Sequence, residues 1–288
     1  MPNGMLLAAG RGTRLGPLTE YLPKPLLPVA NEPVMAQGIR ALRAVGITTI
    51  GVNLCYRAEQ ILTTFDDGAA YAVALHWVVE TAARGTAGGM KRLQHLLDDD
   101  LIVVVAGDAM LDVDLAPLLA AHRAAGAFAS LATLAAEDPS RYGVVVADAD
   151  GRVRAFQEKP APGTEISRLA NTGLYCFDPT IFDLIPGDEF CDFALHVFPR
   201  ILQLGLPFYA FPAQGYWTDV GSPADYLRAN LDFLAGRIRV PGDGAYAGPN
   251  FLAADAVTAG AALRDCVVGA RAVIPPGSAL TRCVVWPD

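Results

Sequence analysis

Leu7-Ala8-Ala9-Gly10-Arg11-Gly12-Thr13-Arg14-Leu15-Gly16-Pro17-Leu18-Thr19, followed after a short gap by Pro23-Lys24-Pro25-Leu26-Leu27-Pro28-Val29, is the stretch on which the reading of this chain turns. Met5 to Ala9 is a short apolar run stopped by glycine, the pattern of a buried parallel strand, and Val34 to Val45 then carries apolar residues at helical spacing. A strand, a loop and a helix therefore open the chain. A glycine-rich turn at the end of a strand lets backbone N–H groups approach phosphate oxygens closely, which side chains at Gly10 and Gly12 would block. Two cations, Arg14 and Lys24, follow on the same loop and can neutralise charge developing on a polyphosphate, with Pro23 and Pro25 fixing the backbone around Lys24.

Working outward, the alternation repeats: strand at Thr48 to Asn53, helix at Ala58 to Phe65, strand at Val73 to Val78 and helix at Ala87 to Leu97. Leu101 to Ala106 is a continuous β-rich run, as expected of a central strand covered on both faces. The right-handed crossovers of such units gather the loops that follow the strands at the carboxyl edge of the sheet, where ligands bind. From Phe128 the pattern shortens into strands at Phe128 to Leu134, Gly143 to Ala147, Val153 to Gln157 and Gly173 to Phe177, a mixed extension expected to build an acceptor pocket. Helices are predicted from Leu195 to Leu204 and from Pro223 to Leu234, the second with Ser222 as its N-cap and Pro223 at its first position.

After Pro241-Gly242-Asp243-Gly244 the chain turns to Ala, Val and Gly with a period of six, in a register running through Ala256, Ala262, Val268, Ile274 and Leu280. That period resembles the hexapeptide repeat of a left-handed β-helix, with room for about two coils. The fold expected is thus α/β, a Rossmann-like mixed sheet with helices on both faces plus a short C-terminal left-handed β-helix. The domains expected are residues 1–240 and 245–288.

Composition narrows the function. With 52% hydrophobic and 18% charged residues the chain is far from the disordered class. A net charge of −8 without any Lys/Arg run excludes the electrostatic footprint of a nucleic-acid binder. Five widely spaced cysteines with no C-x-x-C pair fit a reduced cytoplasm, and the four histidines never fall at a metal-ligand spacing. No basic-then-apolar leader opens the sequence, and no apolar stretch approaches the roughly 20 residues needed to span a bilayer, so no membrane role is expected.

The opening loop is neither a P-loop, since G-x-x-x-x-G-K-[ST] is missing, nor a dinucleotide fingerprint, since Leu15 takes the place of the third glycine. It closely resembles the signature of the sugar-1-phosphate nucleotidyltransferases, G-x-G-T-R-L-x-P-L-T followed by P-K-P-L-L-P-V. The resemblance spans essentially the whole chain. Ala106-Gly107-Asp108 matches the family's G-D, and Trp217-Thr218-Asp219-Val220-Gly221 its W-x-D-[IV]-G; the resemblance makes Asp108 and Asp219 the ligands of a catalytic Mg²⁺. Two aspartates with neither His nor Cys between them suit that hard cation on chemical grounds as well. Tyr142-Gly143-Val144-Val145, Gln157-Glu158-Lys159-Pro160 and Asn171-Thr172-Gly173 are similar to the segments around the sugar phosphate, which implies that Gly143, Glu158, Lys159 and Asn171 bind it.

The nucleotide would be held by Leu7, Ala8, Gly10, Gly12, Thr13, Glu80, Gly85 and Thr86, with Arg14 and Lys24 catalytic. The implied partners are a nucleoside triphosphate and a sugar 1-phosphate, the products an NDP-sugar and pyrophosphate. Glu80 stands five residues before Gly85, where the family places a base-reading side chain. A carboxylate only accepts, and guanine presents two adjacent donors, so GTP is favoured over ATP. The G-T-A-G element and the segment Gly215 to Leu227 look most like mannose-1-phosphate guanylyltransferases. Gly16 stands where the family often has Arg, and Leu195-His196 where guanylyltransferase-like sequences often carry polar or charged residues. Another NTP, a glucose, heptose or cyclitol phosphate acceptor, and a non-catalytic regulatory relative therefore stay open. An open β-helix end invites self-association, so a homo-oligomer is expected.

Overall fold

The computed structural model describes residues 2–97, 100–242 and 244–287, so Asp243 of the expected linker lies outside it. Backbone contacts divide the chain into two units: Met1–Gly10, Gly38–Gly107 and Val113–Gly215 form the first, and Arg11–Gln37, Asp108–Asp112 and Tyr216–Asp288 the second.

The first unit is built on a mixed sheet. Asn3–Leu7 pairs in parallel with Thr49–Leu54 on one side and Ile102–Ala106 on the other, and Ala74–Val79 extends the parallel run. Leu169–Phe177 adds antiparallel to Ile102–Ala106, then pairs with Ala129–Ala135 and Val144–Ala147, and Phe208–Pro212 joins Ala129–Ala135 in parallel. Because side chains alternate along a strand, Met5 and Leu6 face opposite layers. Met5, Ile102 and Val104 pack with Ala87, Met90, Leu93 and Leu97, while Leu6 and Val105 lie against the helix Val34–Ala44 at Gly38. Helices thus cover both faces, and the buried apolar area is the main source of stability. The apolar layer under Met5 continues through Tyr175, Phe177, Phe193, Phe198 and Phe208 beneath the antiparallel extension, with ring centroids 5.0–5.5 Å apart for Phe177–Phe193, Tyr175–Phe198 and Phe198–Phe208.

Two expected helices are interrupted. The segment read as Ala87 to Leu97 is a helix at Gly85–Lys91 and a short turn at Gln94–Leu97. Leu93 and Leu96 make i→i+3 bonds to Met90 and Leu93, which tighten the chain between the two pieces. Leu195 to Leu204 begins earlier, as a π-helical turn at Phe193–Val197, and becomes α-helical only at Phe198–Leu204. Asp192 caps that turn, its side chain accepting from Ala194 N and Leu195 N.

In the second unit Leu15, Leu27, Val29, Val34, Met110, Val220, Tyr226, Phe233 and Phe251 share a core around the helix Pro223–Leu234. Ser222 caps that helix as the sequence predicts, its hydroxyl accepting from Asp225 N. Tyr226 donates its hydroxyl to Pro28 O at 2.7 Å and accepts from Trp286 Nε1 at 2.8 Å, tying the end of the chain to the proline-rich loop. Ala109–Val113 and Gly215–Asp219 pair as a two-stranded ribbon.

Beyond residue 245 the chain stacks on itself in parallel. Phe251 pairs with Val267 and Val267 with Val284, Val257 bridges Val273, and Ala262 pairs with Ala279, so three short ladders advance by 16 or 17 residues. Val268, Ile274 and, partly, Ala256 and Leu280 share one apolar cluster, as the six-residue register predicts. Ala262 does not: it is exposed, and Leu263 faces the cluster in its place, so the register slips by one there.

Candidate active site

In the second unit four charged side chains expected from separate stretches of sequence converge. Lys24 opens a single 3₁₀ turn, Lys24–Leu26, held between Pro23 and Pro25. Its side chain is only 6% exposed, and its ammonium donates to Asp108 Oδ2 at 2.9 Å and to Asp219 Oδ1 at 2.7 Å. Arg14, from the turn Thr13–Leu15, donates to the other oxygen, Asp219 Oδ2, at 3.1 Å. Two cations and two anions therefore balance in one cluster. Burial works against the charge on Lys24, yet the two carboxylates outweigh it and hold its pKa above the ordinary value. Gly221 completes the group: a Cβ there would lie 2.5 Å from Asp219 Oδ2 and 3.0 Å from Arg14 Nη2, so only glycine leaves both side chains in place. Gly12, in the left-handed region at φ 66°, starts the turn that carries Thr13 and Arg14, both exposed.

These residues fit a magnesium ion. Two carboxylate oxygens already converge on one positive centre, the Lys24 ammonium, and both are hard donors. Among the described residues no group of three or more His, Cys, Asp or Glu forms a closed metal cage.

In the first unit Leu7 ends the first strand and Ala8 follows it. Leu7 O accepts from Gly107 N at 3.0 Å, and Ala8 N donates to the backbone oxygen of Asn53 at 3.2 Å. Gly10 follows, exposed. Glu80 is buried, 3% exposed; its Oε1 accepts from Asn53 Nδ2 at 2.9 Å and its Oε2 from Arg84 N at 2.8 Å. Asn53, buried beside it, also receives Ala8 N on its side-chain oxygen at 3.3 Å. From sequence Asn53 is only the last residue of the strand predicted at Thr48 to Asn53, and no motif marks it as a partner of Glu80. Gly85 sits at φ 79°, and a Cβ there would come 2.4 Å from Cys191 O.

Thr86 donates its hydroxyl to Asp192 Oδ2 at 2.9 Å and accepts from Phe193 N at 2.8 Å. Its polar group thus fastens the segment before the π-turn to the first turn of the helix Gly85–Lys91, and Gly88 N to Cys191 O and Cys191 N to Arg84 O, each at 2.9 Å, add two backbone clamps. Asp192, another residue missed from sequence, is the hub of this strap.

The residues expected to bind the sugar phosphate lie in the same unit. Gly143 O accepts from Asn171 N at 2.8 Å, and Asn171 Nδ2 donates to Tyr175 Oη at 2.9 Å. Glu158 and the mostly exposed Lys159 lie 3.4 Å apart, and Lys159 holds a left-handed backbone at φ 39°, rare for a residue with a side chain. Burial raises the Glu158 pKa, Lys159 pulls it down and Asp192 pushes it up, with burial prevailing. Leu195 is 56% exposed on the π-turn, and His196 takes Asp192 N on its Nδ1 at 3.0 Å.

A mixed α/β fold carrying a Gly-rich loop, a lysine between two aspartates and a separate carboxylate–lysine pair defines a nucleotidyl-transferring class of protein. Residues 3–236 match the family model for nucleotidyl transferases, and the chain belongs to that family, in its sugar-1-phosphate branch. It is 38% identical over 269 residues to the UTP–glucose-1-phosphate uridylyltransferase of Synechocystis sp., spanning 86% of this chain and 69% of the relative. It is 32% identical over 288 residues to the mannose-1-phosphate guanylyltransferase of Mycobacterium tuberculosis, spanning 99% and 79%. A Bacillus anthracis chain described as a glucose-1-phosphate thymidylyltransferase, crystallised with sucrose, superposes with a TM-score of 0.74 at 26% identity, covering 83% of this chain and 97% of that one. HddC from Yersinia pseudotuberculosis, complexed with GMP-PN, superposes with a TM-score of 0.68 at 25% identity, covering 81% and 100%. No helix among the described residues is long and apolar enough to cross a membrane.

Proposed function

We propose that this chain transfers a nucleotidyl group from GTP to mannose 1-phosphate, giving GDP-mannose and pyrophosphate. The observation that carries the chemistry is the cluster in which Lys24 joins Asp108 and Asp219 while Arg14 engages Asp219. A phosphate oxygen of the sugar 1-phosphate attacks the α-phosphorus in line; the new O–P bond forms as the bond from the α-phosphorus to the bridging oxygen breaks, and pyrophosphate departs with that electron pair. Arg14 and Lys24 stabilise the charge on the departing group. Lys159 binds the sugar phosphate, Glu158 and Asn171 take sugar hydroxyls, and Gly143 borders them. No general base is required, because a phosphate monoester is already ionised near neutral pH. Mg²⁺ on Asp108 and Asp219, when bound, supplies charge neutralisation and orientation of phosphate oxygens.

Leu7, Ala8, Gly10, Gly12, Thr13, Gly85 and Thr86 form the nucleotide loops in this reading, with Thr86 acting through the strap it anchors. For the base, Glu80 offers an acceptor-only carboxylate held in place by Asn53 and Arg84, and the guanylyltransferase relative spanning 99% of the chain supports guanine. UTP with glucose 1-phosphate is the second reading, favoured by the 38% identical uridylyltransferase. Residues 1–240 would carry the reaction. In this reading residues 245–288 form a short left-handed β-helix, consistent with parallel ladders spaced by 16 or 17 residues, and its open end seats another copy in a cytoplasmic homo-oligomer.

Pyrophosphate release measured with Mg²⁺, each NTP and a panel of sugar 1-phosphates tests the assignment. The highest kcat/KM is expected with GTP and mannose 1-phosphate. A maximum with UTP and glucose 1-phosphate replaces the substrates and keeps the chemistry. Silence across the panel, with tight nucleotide-sugar binding, overturns catalysis in favour of a regulatory relative.

A further inference from the structure

We infer that Lys24 is a placeholder cation: without nucleotide its ammonium occupies the position between Asp108 and Asp219 that a divalent cation needs, and it yields that position only when a polyphosphate offers it another partner. The inference rests on reading Asp108 and Asp219 as the metal carboxylates. The ammonium is 2.9 Å from one carboxylate oxygen and 2.7 Å from the other, so those two oxygens lie no farther apart than the sum of the distances. Carboxylates that share one ammonium repel unless a cation stands between them, and a divalent ion taking these same two oxygens, Asp108 Oδ2 and Asp219 Oδ1, would stand where the ammonium stands. Ammonium and metal are therefore mutually exclusive in this position.

Three features make Lys24 suited to leave and return. Its backbone is fixed by Pro23, Pro25 and the turn Lys24–Leu26, so the change is confined to a flexible four-carbon side chain. That side chain is 6% exposed, so the charge cannot simply swing into solvent and needs an anion to go to. Arg14 holds the opposite oxygen of Asp219, which keeps this carboxylate oriented while Oδ1 changes partner. Metal and triphosphate consequently bind with positive coupling, the free protein resists stray divalent ions, and the lysine released from the carboxylates is delivered to the phosphates.

Mn²⁺ binding followed by calorimetry and by electron paramagnetic resonance tests this without any turnover. In wild type, Mn²⁺ alone is expected to bind weakly and GTP to strengthen it. Lys24→Met is expected to bind Mn²⁺ without nucleotide about tenfold more tightly or better, since removing one unit charge within 3 Å shifts a partly buried site by at least that much. Lys24→Gln should behave like Lys24→Met and provides a second neutral variant if the first fails to fold by circular dichroism. Asp108→Asn placed on Lys24→Met should cancel the gain. If both neutral variants bind Mn²⁺ no more tightly than wild type while Asp108→Asn still weakens Mn²⁺ binding in the presence of GTP, the placeholder is refuted and the metal assignment stands. If Asp108→Asn leaves Mn²⁺ binding with GTP unchanged, the metal assignment itself fails.

Discussion

The two aspartates of the cluster are not equivalent, and their amides should separate in stability as well as in activity. Asp219 is 17% exposed and receives both Lys24, at 2.7 Å, and Arg14, at 3.1 Å; Asp108 is 37% exposed and, among the described residues, receives Lys24 alone, at 2.9 Å. Asp219→Asn removes a charge-assisted bond to a buried ammonium, worth about 1.5–3 kcal/mol, plus a half-exposed arginine pair worth about 1 kcal/mol or less. A loss of about 3 kcal/mol is expected. Asp108→Asn leaves Lys24 its shorter bond to Asp219 and removes a more solvated partner, for a loss of about 1 kcal/mol. The assay is urea unfolding at neutral pH with EDTA and no nucleotide, comparing midpoints at unchanged slope. Losses of equal size, or a larger one for Asp108→Asn, would refute the description of Lys24 as anchored mainly through Asp219.

Gly85→Ala forces a side chain into the left-handed region and against Cys191 O, so a destabilisation of at least about 1–2 kcal/mol and a raised KM for the nucleotide are expected in unfolding and initial-rate measurements. Asn53→Leu strips the Glu80 carboxylate and Ala8 N of a buried partner; a cost of about 1–3 kcal/mol is expected in urea unfolding, and an unchanged midpoint would count against the brace. His122, buried with Nδ1 2.8 Å from Ser130 Oγ, is held down to about 4, chiefly by burial, with Asp178 acting upward and Arg123 downward. The unfolded chain therefore binds the extra proton first, so this contribution is whole above about pH 6.5 and declines by up to about 3 kcal/mol as pH falls towards 4. His122→Gln should flatten that part of the stability–pH curve relative to wild type, and an identical slope in both would contradict the assignment.

Much of this is legible in the sequence because the informative features are local. Val153–Gln157, Ala58–Phe65 and Pro223–Leu234 fall where period and capping put them, and Leu101 to Ala106 reads as a covered strand from its β-branched run. What escaped is non-local. Ala109–Val113 and Gly215–Asp219 owe their strand form to each other across a long stretch of chain, and neither has a strong pattern of its own. The π-turn at Phe193–Val197 depends on capping by Asp192, which is itself held by Thr86 more than a hundred residues earlier. Asn53 and Asp192 matter through partners that no spacing rule connects. The slip from Ala262 to Leu263 shows the same limit within a repeat: period fixes the average register, while packing chooses which residue faces inward.

The most direct test of the central claim is a coupled measurement of pyrophosphate release and nucleotide-sugar formation, with Mg²⁺, an NTP and a sugar 1-phosphate, in wild type and Asp108→Asn. Expected is release in equimolar amount with the nucleotide-sugar, only when both substrates are present, and a rate reduced about a hundredfold or more in the variant. Release without a sugar phosphate, or an Asp108→Asn rate equal to wild type, would contradict it.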